Sequence, residues 1–256
     1  MSETSVLSAR GLCKAFGGHL AVDNLSFSLG AGEMLALIGP NGAGKSTTFN
    51  LLNGQLRADA GEIWLGQTRL PRPSPQALWR LGVSRTFQTA QALASFAVRE
   101  NVQLALLSHA GEGHWPWANG LARWRDEAQA LLEQVGLGAQ ADRPSATLAY
   151  GDVKRLELAM ALANTPRVLL MDEPTAGMAP EERQALMALV GSLVRGRGLS
   201  VLYTEHSMEV VFGHADRILV MAEGRLLAEG TPEAVRANPQ VQAVYLGELP
   251  PVQESS

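Results

Sequence analysis

The chain has 256 residues, 46% of them hydrophobic and 18% charged, with a formal charge of -4 at pH 7. Such a length buries a substantial core, as one large α/β domain or as a main domain with a smaller attached lobe, and the negative balance gives no electrostatic basis for nucleic acid as a partner. No stretch approaches the roughly 18 unbroken apolar residues of a membrane span, no apolar segment follows positive charge at the N-terminus, and Cys13 is the single cysteine. Neither spanning, export through a cleaved signal, an internal disulfide nor a cysteine-held metal is therefore expected; a reducing cytosol fits, with Cys13 inert.

From Val6 to Leu29, apolar alternations such as Leu25, Phe27 and Leu29 are broken by glycines and by "VDN", which predicts antiparallel strands. "EMLALIG" is an apolar run of strand length ending in a glycine-rich loop, and Ser46 to Leu52 reads as the helix that follows. "GEIWLG" predicts another strand, and "PRPSPQ", Pro71 to Gln76, a proline-punctuated connection. Between about Phe87 and Ala163 the spacing turns helical, in "VRENVQLALL" and "RWRDEAQALLEQVGL", which predicts a helical lobe inserted into an α/β framework. The framework resumes with the buried-type strand "RVLLMDE", Arg167 to Glu173, a helix from about Pro180 to Val194, and the strand "LSVLYTE", Leu199 to Glu205. "DRILVMAEGRLLAEG" reads as a hairpin turning at Gly224, helices start at "TPEAVRA", and "PPVQESS" reads as a frayed tail. Alternating strands and helices argue for a mainly parallel sheet with helices on both faces.

Two motifs carry chemistry. "GPNGAGKS", Gly39 to Ser46, fits G-x-x-x-x-G-K-[ST] between a strand and a helix. There, glycines let backbone N–H groups close around phosphates, Lys45 reaches the outer phosphates and Ser46 holds Mg²⁺. "VLLMDE" sets Asp172 at the end of an apolar strand, where a carboxylate reaches Mg²⁺ through its water shell, and Glu173 follows as the candidate that orients and polarises an attacking water.

Further pieces fall in an order that resembles the ATP-binding cassette (ABC) family over residues 6 to 247. "GPNGAGKST" supplies Gly39, Pro40, Asn41, Gly42, Ala43, Gly44, Lys45, Ser46 and Thr47, and "LLMDEP" the second phosphate motif. Phe16, in "CKAFGG", stands where the family stacks an aromatic on adenine, and Gln88, in "SRTFQ", where its glutamine touches the metal and links nucleotide to helical lobe. "LAYGD", Leu148, Ala149, Tyr150, Gly151 and Asp152, stands in place of the signature LSGGQ, just ahead of a helix starting "DVKRLELAMAL"; His206, in "YTEHS", matches the switch histidine at the γ-phosphate. The resemblance implies a single P-loop ATPase domain over residues 1–247, with a RecA-like core and β subdomain about 6–87 and 164–247 and a helical lobe about 88–163, ahead of a tail at 248–256. It also implies ATP and Mg²⁺ as cofactors, with Ser46, Gln88 and Asp172 at the metal, Glu173, His206 and Gln88 in catalysis, and the signature placed on a second ATPase subunit's nucleotide. A helix N-terminus behind a glycine suits that phosphate.

The "FGG" and "AVDNLSF" near the start, "SRTFQ", "ENV", the tyrosine of "LAYG", "DEPTAGMAPEE" and "NPQVQAVYLGE" resemble the ATPase subunits of importers for branched-chain amino acids and related amides. That subfamily implies two membrane permease subunits, a second ATPase as a different chain or a second copy, a periplasmic binding protein acting indirectly, and a place at the cytoplasmic face of the bacterial inner membrane. Thr89 to Val98 would meet the permease, although Leu93, Phe96 and Val98 equally suit lobe core. Trp115, Trp117 and Trp124 suit a permease or membrane contact, or a packed loop and amphipathic helix. Three positions depart from the family pattern: Ala149 lacks a signature hydroxyl, Asp152 replaces glutamine, and Ala179 stands at the usual D-loop aspartate. Either the subfamily tolerates them, with Asp152 as a favourable first-turn acid, or Ala149 weakens the site holding the partner's phosphate loop. The rival readings are another ABC transporter ATPase, a soluble ABC ATPase, and a kinase sharing only the phosphate loop, which leaves "LAYGD" and His206 unexplained.

Overall fold

The computed structural model of the chain describes residues 5–86, 92–111 and 122–245. Two sheets face each other. β1 (Ser5–Phe16), β2 (His19–Gly30), β4 (Ala60–Leu65) and β5 (Thr68–Arg69) form an antiparallel sheet in the order β2-β1-β4-β5. β3 (Met34–Ile38), β6 (Val83–Thr86), β7 (Val168–Asp172), β8 (Ser200–Thr204), β9 (Arg217–Ala222) and β10 (Arg225–Gly230) form the second, in the order β10-β9-β3-β8-β7-β6. All its neighbours are parallel except the β9–β10 hairpin.

The central strands are apolar throughout because both faces are covered. Leu35 and Leu37 of β3 enter one core with Phe27, Phe49 and Leu170, while Ala36 and Ile38 enter the other with Val102, Leu132 and Leu156. The period of two along a strand sends alternate side chains to opposite faces. The first core lies against the antiparallel sheet and α1 (Lys45–Leu52). The second is roofed by α3 (Val98–Ala110), α4 (Arg125–Gln134), α5 (Tyr150–Leu162) and α6 (Pro180–Arg197). Helices α7 (Met208–His214), α8 (Pro232–Ala237) and α9 (Pro239–Val244) complete the fold.

The mixed α/β class, with an antiparallel sheet and helical segments, follows the sequence reading, and four details differ. The connection "PRPSPQ" runs into a short helix, α2 (Pro75–Arg80), because the Ser74 side chain caps Ala77 N–H and Pro75 fits the first helical position. Strand β6 carries Ser84, Arg85 and Thr86, too polar and short to announce itself, and is held by parallel pairing to β7. Helix α6 runs to Arg197, three residues beyond the sequence reading, and Gly198 ends it at φ 67°. Helix α5 opens at Tyr150 rather than Asp152, which puts Tyr150, Gly151 and Asp152 in its first turn. Gly151 lies close to α6 there: a Cβ would sit 3.1 Å from Glu182 Oε1, whose side chain would have to give by a few tenths of an ångström.

Candidate active site

The carboxyl ends of β3, β7 and β8, neighbours in one sheet, deliver three loops to one place. After β3 comes the glycine loop. A Cβ on Gly39 would lie 2.3 Å from Met221 carbonyl oxygen, and one on Gly44, at φ 99°, 2.2 Å from Ala21 carbonyl oxygen. Only glycine lets the loop thread between β2 and β9. Lys45 opens α1 and folds back so that Nζ donates to the carbonyls of Gly39 (2.6 Å) and Pro40 (3.1 Å). Burial lowers the ammonium's pKa, against the opposing pull of the Glu173 and Asp172 charges. Ser46 is exposed at the helix start and Thr47 half-buried.

At the end of β7, Asp172 Oδ1 accepts from Thr204 Oγ1 at 2.8 Å, and Oδ2 accepts from Arg85 Nη2 at 2.8 Å. Glu173 then turns to φ 49°, a left-handed conformation that costs a non-glycine residue of order 1 kcal/mol or more and needs support from its surroundings. The support is Thr204: the Glu173 N–H donates to its Oγ1 (3.0 Å) and its carbonyl (3.2 Å). The turn aims Glu173 Oε1 to 2.9 Å from Nε2 of His206, beyond the end of β8. Between them Glu205 is buried; its Oε1 accepts from Thr175 Oγ1 (2.6 Å) and N–H (3.0 Å), its Oε2 from the His206 N–H (3.0 Å).

These groups bound an open cleft of about 190 Å³ lined by Ala21, Asn41 to Thr47, Glu173 and His206. Its floor offers backbone N–H groups at a helix start, suited to phosphate oxygens. A carboxylate bonded to an imidazole on its rim can order a water. Among the described residues no three His, Cys, Asp or Glu side chains gather as a metal cage. The Ser46 hydroxyl and the Asp172 carboxylate are hard oxygen donors, a sparse set that fits Mg²⁺ held jointly with phosphates and waters.

The chain thus brings Gly39, Lys45, Ser46, Asp172, Glu173 and His206 together, and leaves other candidates apart. Phe16 ends β1, 47% exposed, with Lys14 Nζ 5.5 Å from its ring centroid, and does not line the cleft. Gln88 lies outside the described residues, two positions after β6 ends. Leu148 to Asp152 lie at the start of α5 and contribute nothing to the cleft. Ala149 is the N-cap without a side-chain bond, Asp152 sits in the first turn and accepts from Gln140 Nε2, and Tyr150 donates its hydroxyl to Ala176 carbonyl oxygen at 3.1 Å. Ala179 caps α6, with its N–H bonded to Glu182. Of the segment proposed to meet a permease, Thr89 to Gln91 lie outside the described residues, Leu93 is exposed, Phe96 half-buried and Val98 fully in the core. Trp115 and Trp117 lie outside the described residues, whereas Trp124 packs on the helical core. Cys13 Sγ bonds Gly11 carbonyl oxygen and Asn24 N–H within the β1–β2 pair.

Sequence reasoning misses Arg85 and Thr204, which hold the acidic pair in place, and Glu205, which holds the backbone of His206 and Thr175; a polar residue ending an apolar strand is the available signal. No helix among the described residues is long and apolar enough to cross a membrane.

The sequence pattern described as ABC transporter matches residues 22–176, and that described as branched-chain amino acid ATP-binding cassette transporter matches 225–248. The chain is 40% identical over 250 residues to the high-affinity branched-chain amino acid transport ATP-binding protein LivG of Salmonella typhimurium, covering 95% of this chain and 98% of that one. It is 37% identical to BraF of Pseudomonas aeruginosa, of the same description, with the same coverage. Among solved structures, the ADP conformation of MJ1267, an ATP-binding cassette of an ABC transporter, superposes with a TM-score of 0.84 at 31% identity, over 95% of this chain and 99% of that one.

Proposed function

This chain belongs to the ABC transporter family as an ATP-binding cassette ATPase, and from that premise we propose that it powers uptake of branched-chain amino acids or related amides through separate membrane permeases. ABC ATP-binding subunits of transporters work with membrane permease components. The substrate class rests on the names carried by relatives of nearly the same length.

The observation that carries the catalytic reading is the 2.9 Å bond between Glu173 and His206 on the rim of the glycine-loop cleft. In this reading ATP lies with its phosphates on the N–H groups of Gly39 to Thr47 and its adenine against Phe16. Lys45 leaves the carbonyls of Gly39 and Pro40 for the outer phosphates. Glu173 accepts a hydrogen bond from the attacking water and polarises it, while His206 holds Glu173 and meets the γ-phosphate. Ser46, Asp172 and Gln88 would hold Mg²⁺, whose charge would offset that of the phosphates. Leu148 to Asp152 serve the nucleotide of a second ATPase subunit, so that ATP closes the pair and hydrolysis opens it. We infer a pair of two different chains, or of two copies of this one, under two permeases at the cytoplasmic face of the bacterial inner membrane, fed by a periplasmic binding protein.

The test is recovery of the tagged protein from gently solubilised membranes, followed by uptake of labelled leucine, isoleucine, valine and amides in vesicles holding the recovered complex. Two multispanning permeases and ATP-dependent uptake of one of these solutes are expected. Recovery of cytosolic or ribosomal partners alone would overturn the transport reading and leave the ATP chemistry standing.

A further inference from the structure

The carboxylate of Asp172 is gripped from both sides. β7 lies between β8 and β6, and register sets Asp172 opposite Thr204 on β8 while Arg85 on β6 pairs with Leu170, two residues back. Thr204 Oγ1 donates to Oδ1 and Arg85 Nη2 to Oδ2, both at 2.8 Å, so each flanking strand sends one donor, to a different oxygen. The other arm of the guanidinium, Nη1, donates to Asn50 Oδ1 of α1 at 2.8 Å and to Gln55 Oε1 at 3.0 Å. Arg85 and Asp172 side chains are only 11% and 10% exposed, so this ion pair is shielded from water. A planar fork that spends one arm on a carboxylate and the other on a neighbouring helix fixes distance and angle together, which a lysine point charge does not.

Helix α1 begins with Lys45 and Ser46 and carries Asn50 one turn on. The same guanidinium therefore ties the helix presenting the Ser46 hydroxyl to the strand presenting the Asp172 carboxylate. A metal whose protein ligands are as few as the Ser46 hydroxyl, the Asp172 carboxylate and the proposed Gln88 amide, with waters for the rest, depends on that spacing.

The geometry points to Arg85 as a positioning residue of the Mg²⁺ site: it sets the Ser46–Asp172 spacing and the carboxylate's orientation, with Thr204 as the opposite jaw. This rests on the ATPase reading above. It assigns Arg85 no contact with nucleotide and no part in moving a proton.

The test uses the full-length protein and a fluorescent ATP analogue, with binding measured in EDTA and across a Mg²⁺ titration, and with Mn²⁺ occupancy read by electron paramagnetic resonance. Arg85→Gln should raise the Mg²⁺ and Mn²⁺ concentrations for half-saturation about tenfold, while nucleotide affinity in EDTA stays within about twofold. Thr204→Val should shift the metal curve in the same direction by less. Arg85→Lys, which keeps charge without the fork, should recover only part of the loss; it carries the test if Arg85→Gln does not fold. Metal curves of Arg85→Lys and Arg85→Gln that overlay the parent, or equal losses with and without metal, would overturn the assignment. A parent protein that binds no nucleotide at all would instead sink the ATPase reading.

Discussion

At the carboxyl ends of β3, β7 and β8, Lys45, Asp172, Glu173 and His206 each have a partner from their own chain. At the start of α5 the ties are fewer: Ala149 caps no N–H with its side chain, and Tyr150 is 47% exposed although its hydroxyl reaches the Ala176 carbonyl oxygen. One region ties its charged groups to one another and to the backbone; the other leaves a helix N-terminus uncapped by any side chain at Ala149. Under the proposed head-to-tail pair, the first region is the part of a site that the chain builds for itself and the second the part that it lends.

The largest effect should come from removing chemistry from the self-sufficient region. Glu173→Gln keeps shape and loses the base, and should lower kcat by about 10²- to 10⁴-fold with ATP binding retained; full-rate hydrolysis in a steady-state phosphate assay would remove Glu173 from its role. Lys45→Met preserves the buried stem and deletes the charge. Equilibrium titration should show ATP bound about 10- to 100-fold more weakly, the worth of a hydrogen bond to a charged group. In the lent region, Ala149→Ser restores a hydroxyl at the N-cap. Turnover of the assembled complex should rise about two- to tenfold, one added hydrogen bond's worth, and the chain assayed at concentrations where it is monomeric should not change. An equal gain in both would erase the distinction between the two regions.

The smallest effect belongs to neither region and serves as a control. His214, at the end of α7, donates Nε2–H to Gln184 Oε1 at 2.7 Å, and burial lowers its pKa below the usual 6.5. The unfolded chain then binds the proton more readily than the folded one, so this contribution to stability is complete above about pH 6.5 and falls away as pH drops through the folded value. His214→Gln should flatten the pH dependence of the melting temperature on the acid side and leave the pH profile of kcat in place.

The glycine loop, its strand and helix, and the acids after "VLLM" were legible because each depends on chain-local constraint: glycine where a Cβ would strike backbone, apolar residues where both faces are covered. The support of Asp172 was not legible. Arg85 and Thr204 reach it only because β6, β7 and β8 lie side by side, and that order is set by packing between distant segments rather than by anything in "VSRT" or "VLYT". Glu205 hid for the same reason, as it joins Thr175 to the residues after β8. The helix start at Tyr150 was hidden by Gly151, a residue that reads as ending a helix and here lies inside its first turn against the Glu182 side chain.

The wedging of Gly44 beneath the carbonyl of Ala21 has a mechanical consequence. Ala21 belongs to β2, whose hairpin partner β1 ends in Phe16. The floor of the phosphate cleft and the strand bearing the proposed adenine platform are therefore keyed together like a tongue in a slot. With backbone against backbone there, the outer sheet has no room to close further on the loop, and in the proposed reading the adenine and phosphate contacts share one rigid seat.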